Sequence, residues 1–179
     1  RVKLFQASSP SVLSTFLQER QERLNNAIPQ LLVRNKTARA SQNATVYEGL
    51  QGIRAMNNDM IQEGKEILAF GIPRQTAEIL KSALPVFHRR RIEKKIPMKH
   101  VYDEDAKERI AYLNSLPFTE ARYFPAKAGS PATTLVYGNK VAFVIWSEPL
   151  MGILIQSRRM AEQYRRYFAL LYRLSSLKK

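Results

Sequence analysis

Between Thr119 and Leu174 the chain reads strand, strand, tight turn, strand, strand, helix. The strand runs are Glu120–Phe124, Thr133–Tyr137, Lys140–Trp146 and Met151–Ile155, and helical spacing begins at Arg158. β-Branched and aromatic runs bounded by Gly, Pro, Asn and Ser are the sequence signature of strands. The Gly138-Asn139 pair supplies the positive φ angles of a two-residue hairpin. The unit holds no paired carboxylates, thiols or metal-ligand cluster, so it reads as a platform that holds a molecule rather than converts one.

Upstream, strands alternate with helices. Ala44–Tyr47 is a short strand, and Glu48-Gly49 leads into a helix with an inner face of Leu50, Ile53, Met56, Met60 and Ile61, ended by Gly64. Glu66–Phe70 is a continuous apolar strand of the kind buried on both faces, and Gly71-Ile72-Pro73 turns the chain. Helical segments are predicted at 75–84 and 86–95, a strand at Pro97–Tyr102, and a helix at 104–114 capped by Asp103, with Asp105 in its first turn. This order implies an α/β domain, a mixed sheet covered by helices. The last helix should pack on the sheet through Met160, Tyr164, Tyr167, Phe168, Leu171 and Leu174.

Before this domain, residues 9–33 have helical spacing, with Ser9 or Ser11 as cap and Pro10 in the first turn. Pro29 should kink or end that helix. Leu13, Leu17, Leu24, Ile28 and Leu31 form a narrow apolar seam that needs a partner, and a second copy of the chain is the expected one. Residues 34–43 are polar and aperiodic and read as a linker. The expected division is 1–43, a dimerisation helix with its linker, and 44–179, the α/β domain.

Composition removes several chemistries. No Cys among 179 residues excludes disulfides, thiol catalysis and thiolate metal sites. Two histidines, His88 and His100, leave little for a metal site or an imidazole base, and no metal or other cofactor is expected. Gly-rich phosphate loops are absent. No apolar run approaches the roughly 18 residues of a membrane span, and no signal-peptide pattern opens the chain, so a cytoplasmic protein with no membrane partner is expected.

The formal net charge is +14. Such a field favours polyanions or small anionic ligands. The cations cluster at Arg89, Arg90, Arg91, Lys94 and Lys95, and again at Arg158, Arg159, Arg165 and Arg166. The plain reading is solvated helix faces. The sharper one is sequence-independent polyanion binding, with at most two of Arg89, Arg90 and Arg91 facing one phosphate track.

Ligands of α/β sheets sit beyond the carboxyl ends of parallel strands. Glu48, Gly49 and Gly71 mark such ends here, with Thr133 and Thr134 at the edge of the later strands. Arg122 could meet an anion, Glu148 a hydroxyl, and Trp146 could stack on a sugar or base. Core or rim placement is the competing reading for each.

Several pieces in order carry a family likeness. They are Val46-Tyr47-Glu48-Gly49 with Gly52-Ile53, Glu66–Gly71, Arg122-Tyr123 followed by Pro125, Thr133–Ala142, Trp146-Ser147-Glu148-Pro149, Gly152–Ile155, and a last helix with Tyr167-Phe168. Over about residues 44–177 this resembles the C-terminal sensor domain of archaeal TrmB-like transcriptional regulators. The helix at 9–33 is similar to the family's linker helix. The resemblance implies a fold like one phospholipase D repeat, a non-catalytic homodimer, and a small-molecule effector such as a sugar or anionic metabolite. It also implies DNA contact through an N-terminal winged helix that would precede Arg1, with the effector repositioning the linker helix. Phospholipase D chemistry needs His-x-Lys with a following Asp. Aligned on the hairpin, those places fall on Pro131, Thr133 and Gly138, so no catalytic residues are expected. The alternatives are a nucleic-acid-binding protein acting through its own basic helices, and a phosphodiesterase.

Overall fold

The computed structural model describes residues 9, 11–39, 44–102, 106–124 and 132–175, and for 30–39 the backbone alone. The chain divides into two units, Arg1–Gln42 and Asn43–Lys179.

Among the described residues, the first unit contains one helix, α1 (Ser11–Arg39). It does not stop at Pro29 and runs on through residues 34–39, where a linker was expected. Proline removes one backbone hydrogen bond at a cost of about 3 kcal/mol. The segment after it contains no second proline and no glycine to end the helix, and a polar, aperiodic stretch can still be an exposed helix.

The second unit is a seven-stranded mixed sheet. The strands are β1 (Ala44–Glu48), β2 (Ile67–Ile72), β3 (Met98–Tyr102), β4 (Thr119–Tyr123), β5 (Ala132–Tyr137), β6 (Lys140–Ile145) and β7 (Met151–Gln156), in the order β1-β7-β6-β5-β2-β3-β4. β2, β3 and β4 are parallel, and the remaining neighbours are antiparallel. The expected α/β class, a mixed sheet covered by helices, is the one observed. The four late strands are not one contiguous unit, however. β4 joins the parallel edge beside β3, while β5, β6 and β7 form the antiparallel meander.

β2 is buried along its whole length, as its unbroken apolar run predicts. Its alternating side chains feed two cores. Ile67 and Ala69 join a core that includes Ile53, Met56 and Met60 of α2 (Gly49–Glu63), Phe87 of α4 (Ala83–Glu93), and Ile110 and Leu113 of α5 (Lys107–Asn114). Leu68 and Phe70 face α6 (Arg158–Leu174), where Ala161 and Phe168 are buried. The short α3 (Thr76–Ile79) precedes α4. Expected inner-face residues Leu50, Tyr167 and Leu174 are instead exposed. The expected cap Asp103 and first-turn Asp105 lie outside the described residues.

Gly64 ends α2 in the left-handed region, with φ 64° and its N–H bonded to the Met60 carbonyl. The α4 C-terminus is a Schellman motif without glycine. Ile96 N–H reaches Arg91 O at 2.9 Å, Lys95 N–H reaches Ile92 O at 2.8 Å, and Lys95 itself takes φ 54°. Ile96 then drops into the core.

Candidate functional site

The strand directions bring the ends of β1, β2, β3, β4 and β6 and the starts of β5 and β7 to one edge of the sheet. Beneath that edge, on the face covered by α2, α4 and α5, lies a cavity of about 60 Å³. Its walls are largely apolar, with Met60, Ile72, Leu80, Leu84, Phe87 and Met98 among them. Its polar members come from separate elements: Asn57 of α2, Thr76 of α3, His88 of α4, His100 and Tyr102 of β3, Arg109 of α5, Thr133 of β5, and Trp146 after β6.

The two histidines face each other with ring centroids 6.0 Å apart. Both are buried, at 3% exposure each. Desolvation is the main reason His88 falls from 6.5 to about 2, with His100, Arg91 and Arg109 adding to it. His100 falls to about 3, mainly by burial, with Arg91 and Arg109 adding and the Glu120 backbone opposing. Both imidazoles are therefore neutral at neutral pH. His88 Nδ1 accepts from Arg91 Nε at 3.0 Å, and Arg109 Nη2 stands 3.5 Å from His88 Nε2.

Arg91 is completely buried. Besides His88 it donates to Ile96 O and Phe118 O, both at 3.2 Å, and to Thr119 Oγ1. All four partners are neutral. Burial lowers its guanidinium only to about 10, so it stays charged at neutral pH. Arg91 is thereby removed from the expected polyanion-binding set: its place on the inner face of α4, one turn after Phe87, is a core position. Arg89, Arg90, Lys94, Lys95, Arg158, Arg159 and Arg166 are exposed. Arg90 donates to Asn58 Oδ1 at 2.5 Å, Arg158 pairs with Glu162 at 2.9 Å, and Arg165 donates to Gly138 O.

The sheet edge gathers part of the expected ligand set. Thr133 and Trp146 line the cavity, and Trp146 Nε1 donates to Thr133 Oγ1 at 2.9 Å. Thr133 in turn donates to Gly71 O at 3.1 Å. Gly71 has φ 64°, at the irregularity where β2 changes register against β3. Glu48, Gly49 and Glu148 belong to the same edge but do not line the cavity. Two expected residues point the wrong way. Pleating puts Thr134 and Arg122 on the α6 face. Arg122 there holds Glu120 at 2.7 Å and stacks its guanidinium 3.9 Å above the Tyr172 ring.

His88, His100, Thr76, Asn57 and Arg109 are the site residues that sequence reasoning missed. Two histidines were weighed only as a metal site or an imidazole base, and neither entered the expected ligand set. The only local signal is the spacing of Phe87, His88 and Arg91, which share one helix face. Among the described residues, no group of three or more His, Asp or Glu is arranged to hold a metal ion. A second polar cluster pins the hairpin to α2: Asp59 accepts from Tyr137 and Lys140 at 2.9 Å, and Glu63 meets Lys140 at 3.1 Å. Burial first, then Asp59, raises the Tyr137 phenol. In α1, Leu13, Leu17, Leu24 and Ile28 are exposed, and the side chain of Leu31 lies outside the described residues.

No family model matches this sequence, and no curated protein matches it. Solved structures do. TrmBL2, an archaeal chromatin protein described as showing a novel mode of DNA binding, is 13% identical, with 97% of this chain and 72% of that one covered and a TM-score of 0.56. NucT from Helicobacter pylori is 12% identical, with 74% and 97% covered and a TM-score of 0.51. A phospholipase D family member, Nuc from Salmonella typhimurium, matches at 12% identity, 74% and 95% coverage, and a TM-score of 0.47. At such identities the likeness to TrmBL2 and NucT is one of fold.

Proposed function

We propose that the α/β unit is a non-catalytic effector-binding domain and α1 a pairing helix, in a cytoplasmic protein that works on DNA. The observation that supports this most is the cavity. Side chains from eight elements converge on it, and three of their buried polar atoms, Thr76 Oγ1, His100 Nδ1 and Arg109 Nε, have no hydrogen-bond partner. Buried polar atoms are ordinarily paired, so a group of unpaired ones around a cavity is where a ligand would complete the set. The DNA part of the reading draws on the fold likeness to TrmBL2 and on the charge of +14. The non-catalytic part draws on Thr133 and Gly138. These stand where phospholipase D chemistry would need Lys and Asp, and Thr133 is held by Gly71 and Trp146.

The test is ligand-linked stability. Sugars, amino acids, carboxylates and nucleosides are screened for a rise in melting temperature. A ligand at a hundred times its Kd stabilises by about 2.7 kcal/mol. At least one class should stabilise the wild type and fail to stabilise Leu84→Trp, which fills the cavity. Equal stabilisation of both proteins would contradict the reading. So would turnover of a chromogenic phosphodiester that is abolished by His88→Ala or His100→Ala.

A further inference from the structure

We infer that the cavity is a receptor for a small monocarboxylate, whose carboxylate lies against Arg109 and the His88–His100 pair and whose short tail lies against Ile72, Leu80 and Leu84. This rests on the effector-binding reading and narrows it to one ligand chemistry.

Charge gives the sign of the ligand. Arg91 and Arg109 bring two guanidinium groups to the histidine pair, and among the described residues no Asp or Glu lines the cavity. Among the described residues neither arginine is paired with a carboxylate. A desolvated site whose positive charge no described carboxylate offsets is completed by an anion. The unpartnered polar atoms agree with this. Arg109 Nε is a donor, Thr76 Oγ1 can donate, and His100 Nδ1 can donate in one tautomer or when protonated.

Size and polarity select among anions and against sugars. A volume of about 60 Å³ corresponds to roughly four water-sized positions. That admits a carboxylate with one or two further carbons, and not a sugar ring. Sugar recognition also needs acceptors for its hydroxyls. Of the lining hydroxyls, that of Thr133 is already engaged with Gly71 and Trp146. Inorganic phosphate is more strongly hydrated, and walls built from Ile72, Leu80, Leu84 and Phe87 return none of that hydration. A carboxylate with a short aliphatic tail matches both the charged end and the apolar wall.

The experiment is calorimetric titration of the whole chain with sodium propionate, propionamide and inorganic phosphate. It is run on wild type, Arg109→Gln and Thr76→Val, with melting curves to confirm that each variant folds. Propionate should bind at least about tenfold tighter than propionamide and than phosphate, the size of effect one charge-assisted contact supplies. Arg109→Gln should lose about tenfold for propionate and leave propionamide unchanged. Thr76→Val should weaken propionate by a smaller factor, a check that survives if Arg109→Gln does not fold. Equal affinity for propionate and propionamide would overturn the inference while leaving an effector site in place. Tighter binding of phosphate would overturn it in favour of a phosphoryl ligand. Absence of propionate binding to the folded wild type would overturn it outright, and the broader compound screen then decides the effector reading separately.

Discussion

Arg91 Nε donates to His88 Nδ1 across 3.0 Å, and both side chains are buried on the inner face of α4. This contact fixes the neutral His88 as an acceptor at Nδ1. It also leaves the guanidinium to tie α4 to the Ile96 and Phe118 carbonyls and the Thr119 hydroxyl. A planar fork can reach these acceptors together, whereas an ammonium on a single stem cannot. Arg91→Lys should therefore destabilise the domain by about 3 kcal/mol, since buried acceptors lose their donors. Chemical denaturation measures it, and a loss within the error of the wild type would show the fork to be dispensable.

Acid should unfold the protein through its two histidines. Their folded pKa values lie at about 2 and about 3, below the ordinary 6.5. A group depressed on folding contributes its stability above its unfolded pKa and loses it as pH falls towards the folded one. Stability should thus hold above about pH 6.5 and decline below it, by at most about 1.4 kcal/mol per pH unit for each histidine. Denaturation midpoints taken from pH 7.5 down to 4.5 check this, with His100→Gln flattening the slope. A slope unchanged in that variant would assign the acid sensitivity elsewhere.

Lys95 occupies a glycine position. Its φ of 54° closes the Schellman motif after α4, a conformation that is costly for a residue with a Cβ. Lys95→Gly should raise stability by about 0.5 kcal/mol, the relief of strain exceeding the added chain entropy. A clear loss would mean that the Lys95 side chain contributes more than its backbone costs.

Pairing through α1 has a direct test. Leu17 and Leu24 are 66% and 57% exposed in a helix of 29 residues, and a helix of that length with an uncovered apolar seam is stabilised by a partner. The double substitution Leu17→Glu, Leu24→Glu should convert a dimer to a folded monomer by light scattering. An unchanged mass would remove α1 from the interface.

Strand identity was legible in the sequence because alternation and turn chemistry are local. Thr133–Tyr137, Gly138-Asn139 and Lys140–Ile145 announce a hairpin without help from the rest of the chain. The position of β4 was not legible, since its pairing with β3 follows from the crossover through α5 rather than from its own residues. The charge run at 89–95 concealed Arg91, because a guanidinium in a core is recognisable only from its partners. The site was hidden for a related reason. His88 and His100 sit on a helix and a strand, and only the packing of α4 on β3 brings them to 6.0 Å. The places of Thr133 and Trp146 beside the cavity were legible because strand ends are readable. Thr134 and Arg122 were misplaced because their strand ends were read without the pleat that turns these two residues to the other face.

Methyl resonances of the methionines test the central claim most directly. Met60 and Met98 line the cavity, Met160 packs on the opposite face of the sheet, and Met151 begins β7. On titration with the compound class that stabilises the protein, the Met60 and Met98 methyl signals should shift and saturate together, while Met151 and Met160 stay in place. Saturable shifts confined to Met151 or Met160, or none at any methionine for any compound class, would contradict an effector site in this cavity.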